Sequence, residues 1–370
     1  MTAVAILVAL LAIAFAGLGA YRASFVRWYN RETYGNAYFG RPRAERDAFK
    51  RELREKSRAV GAIARGMRRL RAPHAFEGAR YRGVQLPPQV AVAEWERAVA
   101  YRPEKSDVFV ATQMKCGTTW MQQIVYEVLS RGRWDLGDSG HRHLYAASPW
   151  IESPWSVRMA DAPRIGERGS RVIKTHLPAS LCPFDPAARY VYVTRHPVAC
   201  FASSVDFVTM LLGPLCPELP DLVDWFCSDR MWWGPWPAHV AGFWELAQRH
   251  PNVVFLHYEE MRTELPGAVD RVAALLDVAL TPDERAAVVA KSGFDYMKAN
   301  EELFEMAPPT PLQAEDGRFL HSARSARDAA VGPAERERIV AWCRDQLRGT
   351  SYPAARFYPD LGYEGDGPCH

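Results

Sequence analysis

The chain contains no Cys-x-x-Cys pair, no grouping of His, Cys and carboxylates at ligand spacing, no internal repeat and no low-complexity tract. A zinc site or a redox dithiol is therefore without ligands, and no metal is expected. Seven cysteines (116, 182, 200, 216, 227, 343 and 369) fall at irregular spacing among 370 residues. Scattered thiols in a reducing compartment are expected in place of a disulfide framework. Strong charge of one sign is also missing. A net charge of +3 gives no reason to expect a nucleic-acid partner. Absent, finally, is Gly-x-x-x-x-Gly-Lys-Ser/Thr, the phosphate loop that a nucleotide kinase requires.

What the chain does have begins with an unbroken apolar or small-residue run, Ala3 to Ala20, long enough as a helix to span a bilayer core. No Lys or Arg precedes it, whereas Arg22, Arg27 and Arg31 follow. The positive-inside rule then places the rest of the chain in the cytoplasm, anchored through residues 1–22. A cleaved leader is the competing reading, since Ala-Gly-Leu-Gly-Ala at 16–20 resembles a cleavage site. Residues 23–75 read as a basic amphipathic helical linker, with Phe49, Leu53, Val60, Ile63, Met67 and Leu70 on one face and Arg and Lys on the other. Such a helix suits an anionic membrane surface or a docked, solvated position equally.

Residues 76–370 read as a single α/β domain. Apolar runs at 107–111, 171–175, 190–194 and 253–257 predict buried strands separated by helical stretches. That pattern predicts a P-loop-like parallel sheet flanked by helices on both faces. Proline-rich stretches at 149–163 and 308–311 read as loops.

Three segments carry chemistry. The first strand runs into Gln113 to Trp120, where Lys115 precedes Cys116, Gly117, Thr118 and Thr119 at the start of a helix. Backbone N–H groups at a helix start, with a Lys and two hydroxyls, form an anion cradle. A second strand ends in Lys174, Thr175 and His176, which puts a cation and a base at the carboxyl edge of the sheet. A third ends at Arg195, with Ser203 eight residues on, along the following helix. Arg offers phosphate a bidentate fork.

In combination, Lys-x-Gly-Thr-Thr-Trp, Lys-Thr-His-Leu-Pro and Arg with Ser at plus eight resemble the sulfotransferases that use 3′-phosphoadenosine 5′-phosphosulfate (PAPS). Phe255 to Met261, Ser292 to Met297 and His239 to Trp244 resemble further segments of that family, and the resemblance runs from about 104 to 345. It implies that PAPS is the co-substrate. Lys115, Cys116, Gly117, Thr118 and Thr119 would hold its phosphosulfate, Trp120 and Tyr258 would lie at the adenine, and Ser292, Phe294 and Met297 would line the pocket. Arg195 and Ser203 would grip the 3′-phosphate. His176 would be the general base, with Lys174 and Lys115 stabilising charge on the transferring group. A His base at this position resembles the branch acting on small molecules.

One stretch departs from the family pattern. His321 and Ser322 stand where the family carries a basic pair on the 3′-phosphate, and Ala323 and Ala326 stand where it carries glycines. The resemblance still aligns His321, Ser322 and Ala323 with the nucleotide. Their chemistry keeps a non-catalytic or altered-donor relative as the second reading. The segment through which many relatives dimerise is not evident, so no dimer of that kind is expected. Trp225, Phe226, Trp232, Trp233 and Trp236 either build a core or line an apolar acceptor pocket. Beside a membrane anchor, the expected acceptor is a lipid-like alcohol or phenol; with a lumenal topology, as in Golgi relatives, it would be a glycan or a protein.

Overall fold

The structure is a computed structural model that describes residues 3–66, 75–133, 135–137, 140, 142–313 and 331–362. Its centre is a four-stranded, wholly parallel sheet. The strands are β3 (Asp107–Thr112), β4 (Arg171–Thr175), β5 (Arg189–Thr194) and β6 (Val253–His257), in the order β4-β3-β5-β6. A small antiparallel pair, β1 (Arg80–Tyr81) and β2 (Val84–Gln85), precedes them.

These strands read as continuous apolar runs because both faces of the sheet are covered. Side chains alternate with period two between the covering layers. Phe109, Ala111, Ile173, Tyr190 and Tyr192 enter one core, rich in aromatic residues. Val108, Val110, Val172, Val191 and Val193 enter the other, against Ile124, Val125, Val269 and Val272. Phe109 stacks on Tyr190 at 5.0 Å across the β3–β5 pair. The register Ala111↔Thr175, Ala111↔Tyr192 and Thr194↔His257 brings the carboxyl ends of all four strands to one edge.

From that edge run helices α3 (Thr118–Ser130), α4 (Pro197–Leu212) and α5 (Trp236–Arg249). Among the described residues, the stretch Pro197–Leu215 is long and apolar enough to cross a bilayer. It is not the N-terminal run, and it lies in the core, with Phe201, Val208 and Leu211 buried. The six described cysteines are free thiols.

At the N-terminus, α1 (Ala3–Thr33) is followed by α2 (Arg43–Gly66). Ile6, Leu7, Leu10, Ile13 and Leu18 of α1 are exposed. Further along, Phe25, Trp28 and Tyr29 pack with Tyr38, Phe39, Phe49 and Leu53 into a third cluster that includes Tyr145 of the body. The basic helix read from the sequence is therefore docked over its first half. Buried Arg46 ties it down, donating to the carbonyls of Arg41 (2.9 Å) and Glu302 (2.8 Å).

On α3, Glu127 is buried with only one carboxylate oxygen bonded, by Gln123 at 2.8 Å. Burial pushes its carboxyl up to about 8, against the opposing pull of Lys291. A carboxyl raised in the folded state favours folding below its unfolded pKa, and that contribution fades as pH rises from about 4.5 to 8. Glu127→Gln keeps an acceptor for Gln123 and cannot ionise. It is expected to raise stability by about 2–4 kcal/mol at pH 8.5, because each tenfold change in proton affinity between folded and unfolded chain is worth about 1.4 kcal/mol. The gain should vanish near pH 4, as read from urea midpoints across pH.

Candidate active site

The loop after β3 makes its turn at two left-handed residues, Lys115 (φ +64°) and Gly117 (φ +102°), before α3 begins. A Cβ on Gly117 would lie 2.8 Å from the Tyr258 ring, so this position excludes every other residue twice over. The first N–H groups of α3 have no partner within the helix and point out of its start. Gly117→Ala is expected to abolish stabilisation by adenosine 3′,5′-bisphosphate in a thermal-shift assay. The left-handed conformation alone costs about 1–2 kcal/mol with a Cβ.

The two hydroxyls of the loop tie it to the neighbouring strand ends. Thr118 Oγ1 lies 2.6 Å from Thr112 Oγ1. Thr119 is hydrogen-bonded to Tyr145, whose hydroxyl accepts from Lys174 Nζ at 2.7 Å. Lys174 also sits 3.4 Å over the Trp150 ring. Cys116 is buried, its Sγ 3.6 Å from Cys200 on α4, and Cys200 Sγ donates to the Met114 carbonyl at 3.2 Å. These contacts lace α4 to the loop, and Ser203 follows one turn beyond Cys200, half-buried.

His176 is buried where β4 ends. Its Nδ1 lies 2.9 Å from the Thr112 carbonyl and 3.2 Å from Thr112 Oγ1. Donation to that carbonyl places the proton on Nδ1 and leaves Nε2 as the basic nitrogen. Burial, then the adjacent Lys174, hold this imidazole well below its ordinary pKa, so it is neutral. Its ring faces Trp233 at 4.9 Å and Trp150 at 5.3 Å. His239, itself bonded to Tyr192, donates from Nε2 to the His176 carbonyl at 2.9 Å.

A second group forms around Tyr258. Arg195 lies 4.6 Å over the Tyr258 ring, and Trp120 meets that ring edge-on at 5.3 Å. The Trp120 indole donates to the Ser292 carbonyl at 2.7 Å. Arg195 Nε and Ser292 Oγ are buried without protein partners. Lys115 bridges the two groups, 5.0 Å over the Phe207 ring and 3.1 Å from Met306 Sδ. Burial, then the charge of Arg195, lower its ammonium to about 7. A desolvated Lys beside an Arg with an unbonded N–H fits an anionic ligand. An anion binding there raises the Lys115 pKa again, so Lys115 should take up a fraction of a proton when adenosine 3′,5′-bisphosphate binds between pH 7 and 8. Calorimetry in buffers of different ionisation enthalpy reads this directly.

The structure thus brings Lys115, Gly117, Thr118, Thr119, Lys174 and His176 to one cluster, and Trp120, Arg195, Tyr258 and Ser292 to another beside it. Met297 is a core residue, packed in the cluster beneath Tyr258 and Trp120, whereas Phe294 is 42% exposed. His321, Ser322 and Ala323 lie outside the described residues. Of the aromatic stretch, Trp225, Phe226, Trp232, Trp233 and Trp236 are all core, and Trp233 also reaches His176. Sequence reasoning missed Thr112, Tyr145, Trp150 and Glu152. Thr112 closes a strand already recognised, but the other three lie in stretches without a motif.

Residues 105–351 match a family model described as the sulfotransferase domain. A 3-alpha-hydroxysteroid sulfotransferase of Cavia porcellus is 29% identical over 230 residues, covering 61% of this chain and 77% of that relative. Retinol dehydratase, solved in a complex with retinol and PAP, is similar at a TM-score of 0.56 and 20% identity, over 71% of this chain and 88% of its own. A mouse sulfotransferase solved with PAP is similar at a TM-score of 0.58 and 16% identity, over 77% of this chain and 99% of its own.

Proposed function

The chain belongs to the sulfotransferase domain family, and on that premise we propose that it transfers a sulfuryl group from PAPS to the hydroxyl of a lipophilic alcohol or phenol, with His176 as general base. The observation that carries this reading is the neutral imidazole, fixed at Nδ1 by Thr112 and two residues beyond a buried lysine. His176 Nε2 accepts the acceptor's proton as the new oxygen–sulfur bond forms and the bond from sulfur to the phosphate oxygen breaks. The products are a sulfate ester and adenosine 3′,5′-bisphosphate (PAP).

Lys115, the loop N–H groups, Thr118 and Thr119 hold the phosphosulfate in this reading, and Lys174 stabilises the charge that builds during transfer. Trp120 and Tyr258 flank the adenine. Arg195 and Ser203 take the 3′-phosphate, which supplies the partner that buried Arg195 Nε lacks. Trp150 and Trp233 form an aromatic wall beside His176, suited to a flat or apolar acceptor. Relatives named for a hydroxysteroid and for retinol support that class.

The exposed apolar stretch of α1 is the membrane anchor in this account, with the catalytic body in the cytoplasm. Protease protection in sealed membranes tests it: a C-terminal body shielded from added protease contradicts the cytoplasmic orientation. Nucleotide binding is tested by titrating PAP into the full chain. Saturable heat is expected, and none at millimolar ligand would sink the enzyme reading.

A further inference from the structure

We propose that Glu152 is the positioning residue of this site: a buried carboxylate that holds the His176 end of β4 to the Trp150 wall and balances the proton that His176 takes up. The inference rests on the reading of His176 as the base.

Glu152 is fully buried. Its Oε1 accepts from the His176 backbone N–H and from the Trp150 indole, each at 2.7 Å. One oxygen thus sets both the residue carrying the base and the ring that walls the acceptor side. Its Oε2 is buried with no partner. A structural hydrogen-bond acceptor alone does not need a charge, and an amide would serve it without the cost of desolvating an anion.

Burial pushes the Glu152 carboxyl up, while the His176 N–H, the Trp150 indole and the charge of Lys174 pull it back toward the anion. Lys174 of β4 and His176 just beyond its end face it; from the short helix Leu144–Ala147, Tyr145 does; Cys182 faces it from the loop beyond β4. His239 on α5 and Lys115 in the phosphate loop act on His176 in turn. Lys174, whose ammonium burial drives well below its ordinary range, has Glu152 as the neighbour that opposes the shift. When His176 gains a proton, a full positive charge appears beside Lys174 and Lys115, two groups whose own ammonium charge burial already disfavours. Glu152 is the carboxylate bonded to that same residue, and its charge stabilises the imidazolium in a site closed to water.

The test compares wild type, Glu152→Gln and Glu152→Ala in the full chain by PAP release from PAPS at pH 3.5–9, a range that reaches the acid limb of a His176 held well below its ordinary pKa. The probe acceptor is 2-naphthol, and PAP release counts transfer to it and to water alike. Glu152→Gln keeps an acceptor oxygen, removes the charge and puts an amide NH2 in place of one oxygen. Its kcat should fall about tenfold and the acid limb of its pH profile should move about one pH unit lower, a factor of ten in proton affinity. KM for PAPS and the thermal shift produced by PAP should stay within about twofold of wild type, since neither reads the proton on His176. Glu152→Ala should fall further; if it fails to fold, Glu152→Gln carries the test. Wild-type kcat with an unmoved acid limb in Glu152→Gln overturns the proposal. An undiminished rate in His176→Ala overturns the base reading itself, whatever Glu152 does.

Discussion

Replacing His176 by alanine is expected to lower sulfuryl transfer by about 10²–10⁴-fold, the range for a positioned general base, while PAP still binds. The binding forecast follows from where the ring lies. His176 touches Thr112, Trp150 and Trp233, whereas the contacts that fit the nucleotide's anionic ends gather around Arg195, Tyr258 and the loop at Gly117. The rate forecast follows from its protonation. A buried imidazole kept neutral by desolvation and by Lys174 is ready to accept a proton, and an aliphatic or phenolic hydroxyl cannot leave its own behind without one. His176→Ala removes the acceptor of that proton, and a water in its place beside the Thr112 carbonyl would be a far weaker base than imidazole. Turnover with saturating PAPS, set beside calorimetric PAP affinity, checks both halves of the forecast. A parallel loss of affinity would mean that the ring only supports the fold.

Lys115→Met is expected to cost about 10²–10³-fold in kcat, the scale for removing one donor aimed at developing charge. Its ammonium is held in the left-handed turn of the phosphate loop and desolvated beside Arg195. Without a bound anion it is only half charged near neutral pH. Charge that builds on the bridging oxygen during transfer therefore meets a cation that water does not screen. Methionine keeps an apolar stem of similar bulk and removes Nζ, the atom that contacts Phe207 and Met306, so the loss reports the ammonium group. The same variant should erase the proton uptake that accompanies PAP binding, a readout that a merely structural lysine would not move.

Much of this was legible in the sequence because it rests on local rules. Strand runs at 107–111, 171–175, 190–194 and 253–257 recur within a residue in β3, β4, β5 and β6, since a doubly covered parallel strand must be apolar throughout. The chemistry at Lys115, His176 and Arg195 was readable because each closely follows a strand, and parallel strands deliver such residues to one edge. The strand order was not, because it depends on which crossovers pack together. Nor was the division of labour between faces, with Phe109, Tyr190 and Tyr192 against aromatics and the valines against α3. Glu152 and Tyr145 stayed invisible for a different reason. A carboxylate in a proline-rich stretch is ordinary until its neighbours are known, and the bonds from His176 and Trp150 span 24 and 2 residues with no motif to mark them. The docking of α1 and α2 likewise rests on a buried arginine reaching a carbonyl 256 residues away.

The central claim is transfer of a sulfuryl group to a lipophilic hydroxyl. Its most direct test incubates the full chain with sulfur-labelled PAPS and a total lipid extract, and separates the products by chromatography. Labelled sulfate esters should appear in the organic phase, formed over many turnovers by wild type and lost in His176→Ala. Tight PAP binding with no labelled ester, even at enzyme concentrations equal to PAPS, would contradict it.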